Sequence, residues 1–385
     1  MTTRAVRNGS HRSTGSDGSV ESDQSTHSAD AGGSIEFAES TESTESTEFA
    51  ESTGSGSGSA GSTGPTRSEP PPPAGRWAVA RRVLRAAAVV ATLPYLALKA
   101  AWLGGSHVGI PDGSVLLDPG PFLIVGNALT LLMDATVILL VMVLTRPWGM
   151  RVPGPLLTVP VYVATGLLTP IVLGFPAQLL VKAVGLGADE AARAAREPFL
   201  DPWVPDLVYT GFIIQAAALA GLFVPYAYER WGGRRRVAQG QRLPSPTGVV
   251  AGAAALVGAA VAAAHLYWAF GGDAGLPAER VAAYSAETGV VSGTHALCAL
   301  TAAIGAVLLA RGGTRRAGWS LAAAWTGSAA TLSWGMWLLT PLLGSDSEFG
   351  ESITTAILLT CVGQIVTGAL GAGVLIRYLR SRGEV

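Results

Sequence analysis

Eight apolar runs, separated by short polar segments, fill the chain from Val83 onward. Crossing ~30 Å of hydrocarbon at 1.5 Å per residue takes about twenty apolar residues. Runs of that order lie near 83–104, 121–145, 155–181, 205–228, 248–271, 290–310, 317–342 and 353–376. None alternates polar and apolar residues as a soluble amphipathic helix does, although 205–228 is polar at its start. The expected fold class is therefore all-α, a polytopic membrane bundle of eight transmembrane helices.

Charge placement leads to the same count by a separate route. Only 14% of the residues are charged, against about a quarter in a soluble domain. The net charge of −1 hides an acidic first segment, with eleven acids and four Arg in 1–75, and a basic remainder with sixteen acids and twenty-two Lys/Arg. Cytoplasmic loops of membrane proteins are enriched in Lys and Arg. Seventeen cations precede the first run or follow the even-numbered ones, among them Arg81, Arg85, Arg146, Arg151, Arg230, Arg235, Arg311 and Arg380. The other loops hold four, Lys182, Arg193, Arg196 and Arg280, while thirteen acids fall there and two on the basic side. A seven-helix count breaks this alternation, so both termini are expected in the cytoplasm. Lys99 and Lys182 are the only lysines among twenty-six basic residues. With the Ala, Gly, Val and Arg excess, this suggests a GC-rich bacterial genome and hence a bacterial plasma membrane.

Residues 1–75 form a Ser/Thr/Glu/Gly tract in which Glu36-Phe37-Ala38-Glu39-Ser40-Thr41 recurs as Glu48-Phe49-Ala50-Glu51-Ser52-Thr53. So little apolar surface cannot offset the entropy lost on folding, and a disordered low-complexity tail is expected. The tract also lacks the apolar core of a signal peptide. Two cysteines, Cys298 and Cys361, exclude a disulfide framework and a multi-cysteine metal site and are read as buried thiols.

The two halves of the membrane region look related. Lys99-x-x-Trp102-x-x-Gly105 ends the first run and His265-x-x-Trp268-x-x-Gly271 the fifth. Asn127-Ala128-Leu129 opens the second run and His295-Ala296-Leu297 falls early in the sixth. Tyr228-x-Arg230 and Tyr378-x-Arg380 follow the fourth and eighth, so the three matches keep their order at offsets of 166, 168 and 150 residues. Four helices return the chain to its starting side, so the expected repeats, 76–242 and 243–385, run parallel about an axis along the membrane normal.

The segment His265-Leu266-Tyr267-Trp268-Ala269-Phe270-Gly271-Gly272 resembles the His-x-x-Trp-x-x-Gly-Gly helix end of a family of uncharacterised multi-pass membrane proteins common in actinobacteria. The likeness covers about 130 residues of the second half, and the first half follows it with Lys in place of His. It implies a multi-pass topology and no established activity.

Ionisable groups within a bilayer cost about 2.5–3.5 kcal/mol on insertion scales and are functional candidates by default. Lys99, Asp134, His265 and His295 are such groups here, with Asn127 as a polar companion. Asp134 falls near the middle of its run, and the other four fall in the outer half as two repeat-related pairs, which points to one outward-facing polar pocket. Simpler readings stand beside that one. Lys99 can extend its ammonium to the interface while Trp102 and Trp268 sit in the aromatic belt, as Trp334 and Trp337 would. The histidines can be neutral, hydrogen-bonded core residues, and Asp134 can be protonated or paired with Lys99. His265, His295 and Asp134 are suitable metal-ligand types without metal-site spacing, and no nucleotide-binding or nucleophile motif is present. Gly248-x-x-x-Gly252 suggests close helix packing, and Pro160, Pro170 and Pro176 suggest a kinked third helix.

Three functions fit. One is a non-catalytic membrane partner, and another a small-solute or proton-coupled transporter. The third is a membrane-embedded enzyme or lipid-acting protein, for which no catalytic spacing is visible. The partners expected are the lipid bilayer and a protein or small molecule, with no nucleic acid, cofactor or metal.

Overall fold

A computed structural model describes residues 74–117, 120–194, 199–231, 247–312, 317–340 and 353–381. The tail expected to be disordered lies outside the described residues, except for Ala74 and Gly75 at the start of the first helix. Among the described residues eight long helices carry the fold: α1 (Ala74–Leu103), α2 (Pro121–Thr145), α3 (Gly154–Ala183), α5 (Trp203–Trp231), α6 (Thr247–Ala269), α8 (Ala286–Ala310), α9 (Ala317–Leu338) and α10 (Thr355–Ser381). Two one-turn helices, α4 (Glu190–Ala194) and α7 (Ala278–Ala282), lie in the connections. No strand occurs among the described residues.

Seven of the helices are long and apolar enough to cross a membrane, which is the architecture of a multi-pass membrane protein. The remaining long helix, α9, has 22 residues and no charge, but its Ser, Thr, Gly and Trp content keeps its mean hydropathy below that of the seven.

Local chemistry sets where helices begin and end. Pro121 opens α2, where its missing N–H would have no intrahelical partner anyway. Ser285 and Thr288 form a reciprocal capping box on α8. Gly105 and Gly271 close α1 and α6 with φ of 85° and 86°, a conformation cheap only for glycine. In each case the next amide bonds back five residues, Ser106 to Ala101 and Gly272 to Tyr267, both at 2.9 Å.

Helix α3 continues through Pro160, Pro170 and Pro176. One sequence expectation is corrected by the glycines of α6. Gly248 and Gly252 face open space, so they are not a packing motif. Close approach on α6 comes instead from Gly258, whose neighbours are Thr367 and Ala303, and from buried Ala251, Ala254 and Ala262.

Helix α1 packs on α2 and α5, and α3 packs on α5 with a lighter contact to α2. In the second half α6 packs on α8 and α10, and α9 packs on α8 and α10. The halves meet where α3 lies against α9 and α8. The first core is built from Leu140, Val141, Leu144, Leu157, Leu219 and Leu222. The second is dominated by Ala251, Ala254, Ala306, Ala324 and Val374, small residues that let helix backbones approach.

Candidate functional site

Lys99 lies four residues before the end of α1 and is only 8% exposed. Its ammonium donates to Asn127 Oδ1 on α2 at 2.5 Å. It also stands 5.0 Å from the centre of the Tyr95 ring and 5.3 Å from that of Trp102. Those rings come from positions four before and three after Lys99, which share its helix face, and their π clouds attract the cation. Lys99 therefore does not extend to the interface. Its charge is turned inward and held between two rings and an amide.

Asp134 lies two turns below Asn127 on α2 and is 6% exposed. The Lys99 ammonium bonds Asn127, and Asp134 Oδ2 has no hydrogen-bond partner. Of the two readings of Asp134, protonated or paired with Lys99, the hydrogen bond from the ammonium to Asn127 leaves the pairing without a direct contact. Deeper in the same half, buried Gln215 of α5 donates to Thr92 Oγ1 of α1 at 3.1 Å.

The second half places His265 of α6 against His295 of α8, with ring centres 5.2 Å apart and planes inclined by 26°. Both are buried. His265 Nε2 lies 2.8 Å from the side-chain nitrogen of Gln364 on α10. Trp268 sets its edge against His265 at 5.4 Å, and Trp334 does the same to His295 at 5.5 Å. The Trp334 indole also donates to the Leu167 carbonyl on α3 at 3.1 Å. Trp268 and Trp334 are thus part of the packed cluster, and Trp268 is only 8% exposed.

The sequence-derived candidates therefore come together as two pairs, Lys99–Asn127 and His265–His295. Among the described residues no hydrogen bond or ring contact joins one pair to the other. No group of three or more His, Cys, Asp or Glu residues that could hold a metal occurs there either. Cys298 and Cys361 are buried and free. A shallow cleft lies at the opposite ends of α1, α2 and α5, between Trp77, Arg81, Leu144 and Glu229. Gln215 and Gln364 went unread in the sequence because neither titrates. A lone glutamine within an apolar run was the available signal, since a buried amide needs partners.

The surroundings of the two pairs correspond in detail. Trp102 donates its indole N–H to the Val108 carbonyl at 2.8 Å, and Trp268 donates to Ala274 at 3.1 Å. The Gly109 carbonyl accepts from the Asp201 amide just before α5, and the Gly275 carbonyl accepts from Thr354 just before α10. The tyrosine match does not hold: Tyr228 is 59% exposed and Tyr378 only 2%.

No family model matches this chain, and neither the search of curated proteins nor that of solved structures finds a similar one.

Proposed function

We propose that this protein is a proton-coupled small-solute transporter of eight transmembrane helices in a bacterial plasma membrane, built from two parallel four-helix repeats with both termini cytoplasmic. Helix α9 supports the eighth span, since it has membrane length, carries no charge and packs between α3, α8 and α10. The repeat is supported by matching neighbours: α1 with α2 and α5 corresponds to α6 with α8 and α10. It is supported again by the paired tryptophan and carbonyl contacts around Gly105 and Gly271. The topology draws on loop contacts at two opposite ends. Arg81 reaches Thr145 and Arg230 reaches Val152 at one, while Ser114 reaches Phe199 and the Ala188 amide reaches Glu287 at the other. The resemblance to actinobacterial multi-pass proteins belongs to the same proposal.

One observation carries the transport reading. Lys99 in the first half and the stacked His265 and His295 in the second are titratable groups buried near corresponding helix ends, and Asp134 keeps an oxygen with no partner. Buried ionisable groups inside a membrane bundle mark ion and proton routes. Proton uptake should be followed with a pH dye in proteoliposomes, with a polar-metabolite extract of the expressing cells outside. The wild type should acidify the lumen, and Asp134→Asn should slow this at least tenfold. Uptake no faster than in empty vesicles would favour a non-catalytic membrane partner instead.

A further inference from the structure

Threonines of the long helices turn their hydroxyls back to the carbonyl four residues earlier, as Thr92 does to Ala88, Thr165 to Val161, Thr294 to Val290 and Thr360 to Ala356. Thr367 does not. It is fully buried, its methyl Cγ2 is the atom nearest Gly258, and its Oγ1 has no hydrogen-bond partner. Gln364 lies three residues earlier on the same face of α10, and its Oε1 also lacks a partner, as does Nδ1 of His265 opposite. His265 and Gln364 are 6% and 1% exposed.

This deficit survives reassignment of the protons. If the Gln364 amide is turned over, its oxygen accepts from His265 Nε2–H, and the amide nitrogen and Nδ1 become the unmatched atoms. Either way the pair presents one donor and one acceptor, with a hydroxyl that can do both. Val261 and Ala262, buried on α6 between His265 and Gly258, are apolar and offer these atoms no partner.

We propose that the facing surfaces of α6 and α10 bind internal water between His265, Gln364 and Thr367, extending the histidine pair inward as a proton path. Water supplies both donors and acceptors at this scale, and buried polar groups without protein partners are its usual anchors. A proton accepted at one ring nitrogen of His265 is released from the other, so the imidazole joins the Gln364 side, at Nε2, to the water that meets Nδ1. The other titratable groups nearby are Cys298 on α8 and Cys361 on α10, and Arg280 acts on Cys361. The water site stands on its own geometry, whereas its use as a path rests on the transport reading.

The test is solid-state NMR of ¹⁵N-histidine-labelled protein in liposomes, measuring magnetisation transfer from water to each ring nitrogen, with His265→Asn to assign the signals. His265 Nδ1 should be polarised by water within a few-fold of the rate at exposed His107, and Thr367→Val should slow this at least threefold. If His265 stays dark while His107 is fully polarised, the water site does not exist. Equal transfer in Thr367→Val would remove Thr367 from it. A hydrated His265 without proton uptake in proteoliposomes would sink the transport reading alone.

Discussion

In the first half α1 and α2 join a cation to an amide, with an acid two turns away; in the second, α6 and α8 stack two imidazoles and α10 adds a glutamine. The scaffolds also differ. The most apolar stretch of α8 is 61% buried, against 22% to 28% for α1, α2, α3 and α5. The first half surrounds its polar pair with larger side chains, and the second packs its two imidazoles among alanines. The comparison teaches that corresponding positions can hold different chemistry because the packing around them differs.

The largest effect should come from forcing that tight packing apart. A methyl on Gly327 would collide with the backbone of Ala302, and one on Gly305 with the backbone of Ala324. Backbone on both sides leaves nothing to rearrange, so Gly327→Ala should destabilise by about 3 kcal/mol. Gly221 of α5 meets only the end of the Leu84 side chain, at 3.0 Å. Gly221→Ala should lie within about 1 kcal/mol of the wild type, helped by alanine's better helix propensity. Thermal unfolding in detergent measures both. Equal losses would mean that the halves do not differ in rigidity.

A smaller effect separates the charges. Lys99→Met removes the ammonium from Asn127 and from two rings, and should destabilise by about 2 kcal/mol, the scale of a hydrogen bond to a charged group. Asp134→Asn should reduce that loss or enlarge it by about 1 kcal/mol, since nearby sites in one network are not additive. A double-mutant cycle reads the coupling. Strict additivity would show that Asp134 and Lys99 act independently.

Helix positions and the polar pairs were legible because few residues can sit in lipid. Apolar length marks a span, and Lys99, Asp134, His265 and His295 stood out against such runs. Repeat spacing suggested a single pocket shared by Lys99, Asn127, His265 and His295, whereas the structure brings them together as two pairs. What stayed hidden depended on rotamers and neighbours. Lys99 could reach Asn127, Asp134 or the interface, and only the rings of Tyr95 and Trp102 around its ammonium decide among them. Trp334 could have faced lipid, but its indole finds a carbonyl on α3, a contact between halves that no local pattern encodes. Glycine spacing misled at Gly248 and Gly252, since a motif does not say which face of the helix has a neighbour.

The smallest effect concerns the two tryptophans that close α1 and α6. Each donates its indole N–H to a carbonyl six residues ahead, Val108 for Trp102 and Ala274 for Trp268, and so ties the loop over the helix end. Replacement by Phe keeps the ring and removes the donor, so each variant should lose about 1 kcal/mol, the net value of one neutral hydrogen bond. Burial separates the two within that range. The bond of Trp102 is exposed, so water replaces the lost donor and the loss should fall toward about 0.5 kcal/mol. Trp268 is 8% exposed, so the Ala274 carbonyl is left with a poorer substitute and the loss should approach about 1.5 kcal/mol. Trp268 also braces His265, with ring centres 5.4 Å apart. Trp268→Phe should therefore shift the ¹⁵N resonance of His265, while Trp102→Phe leaves it unmoved. If both variants lose the same stability and neither moves that resonance, the two helix ends are interchangeable clasps, and the difference between the halves begins below them.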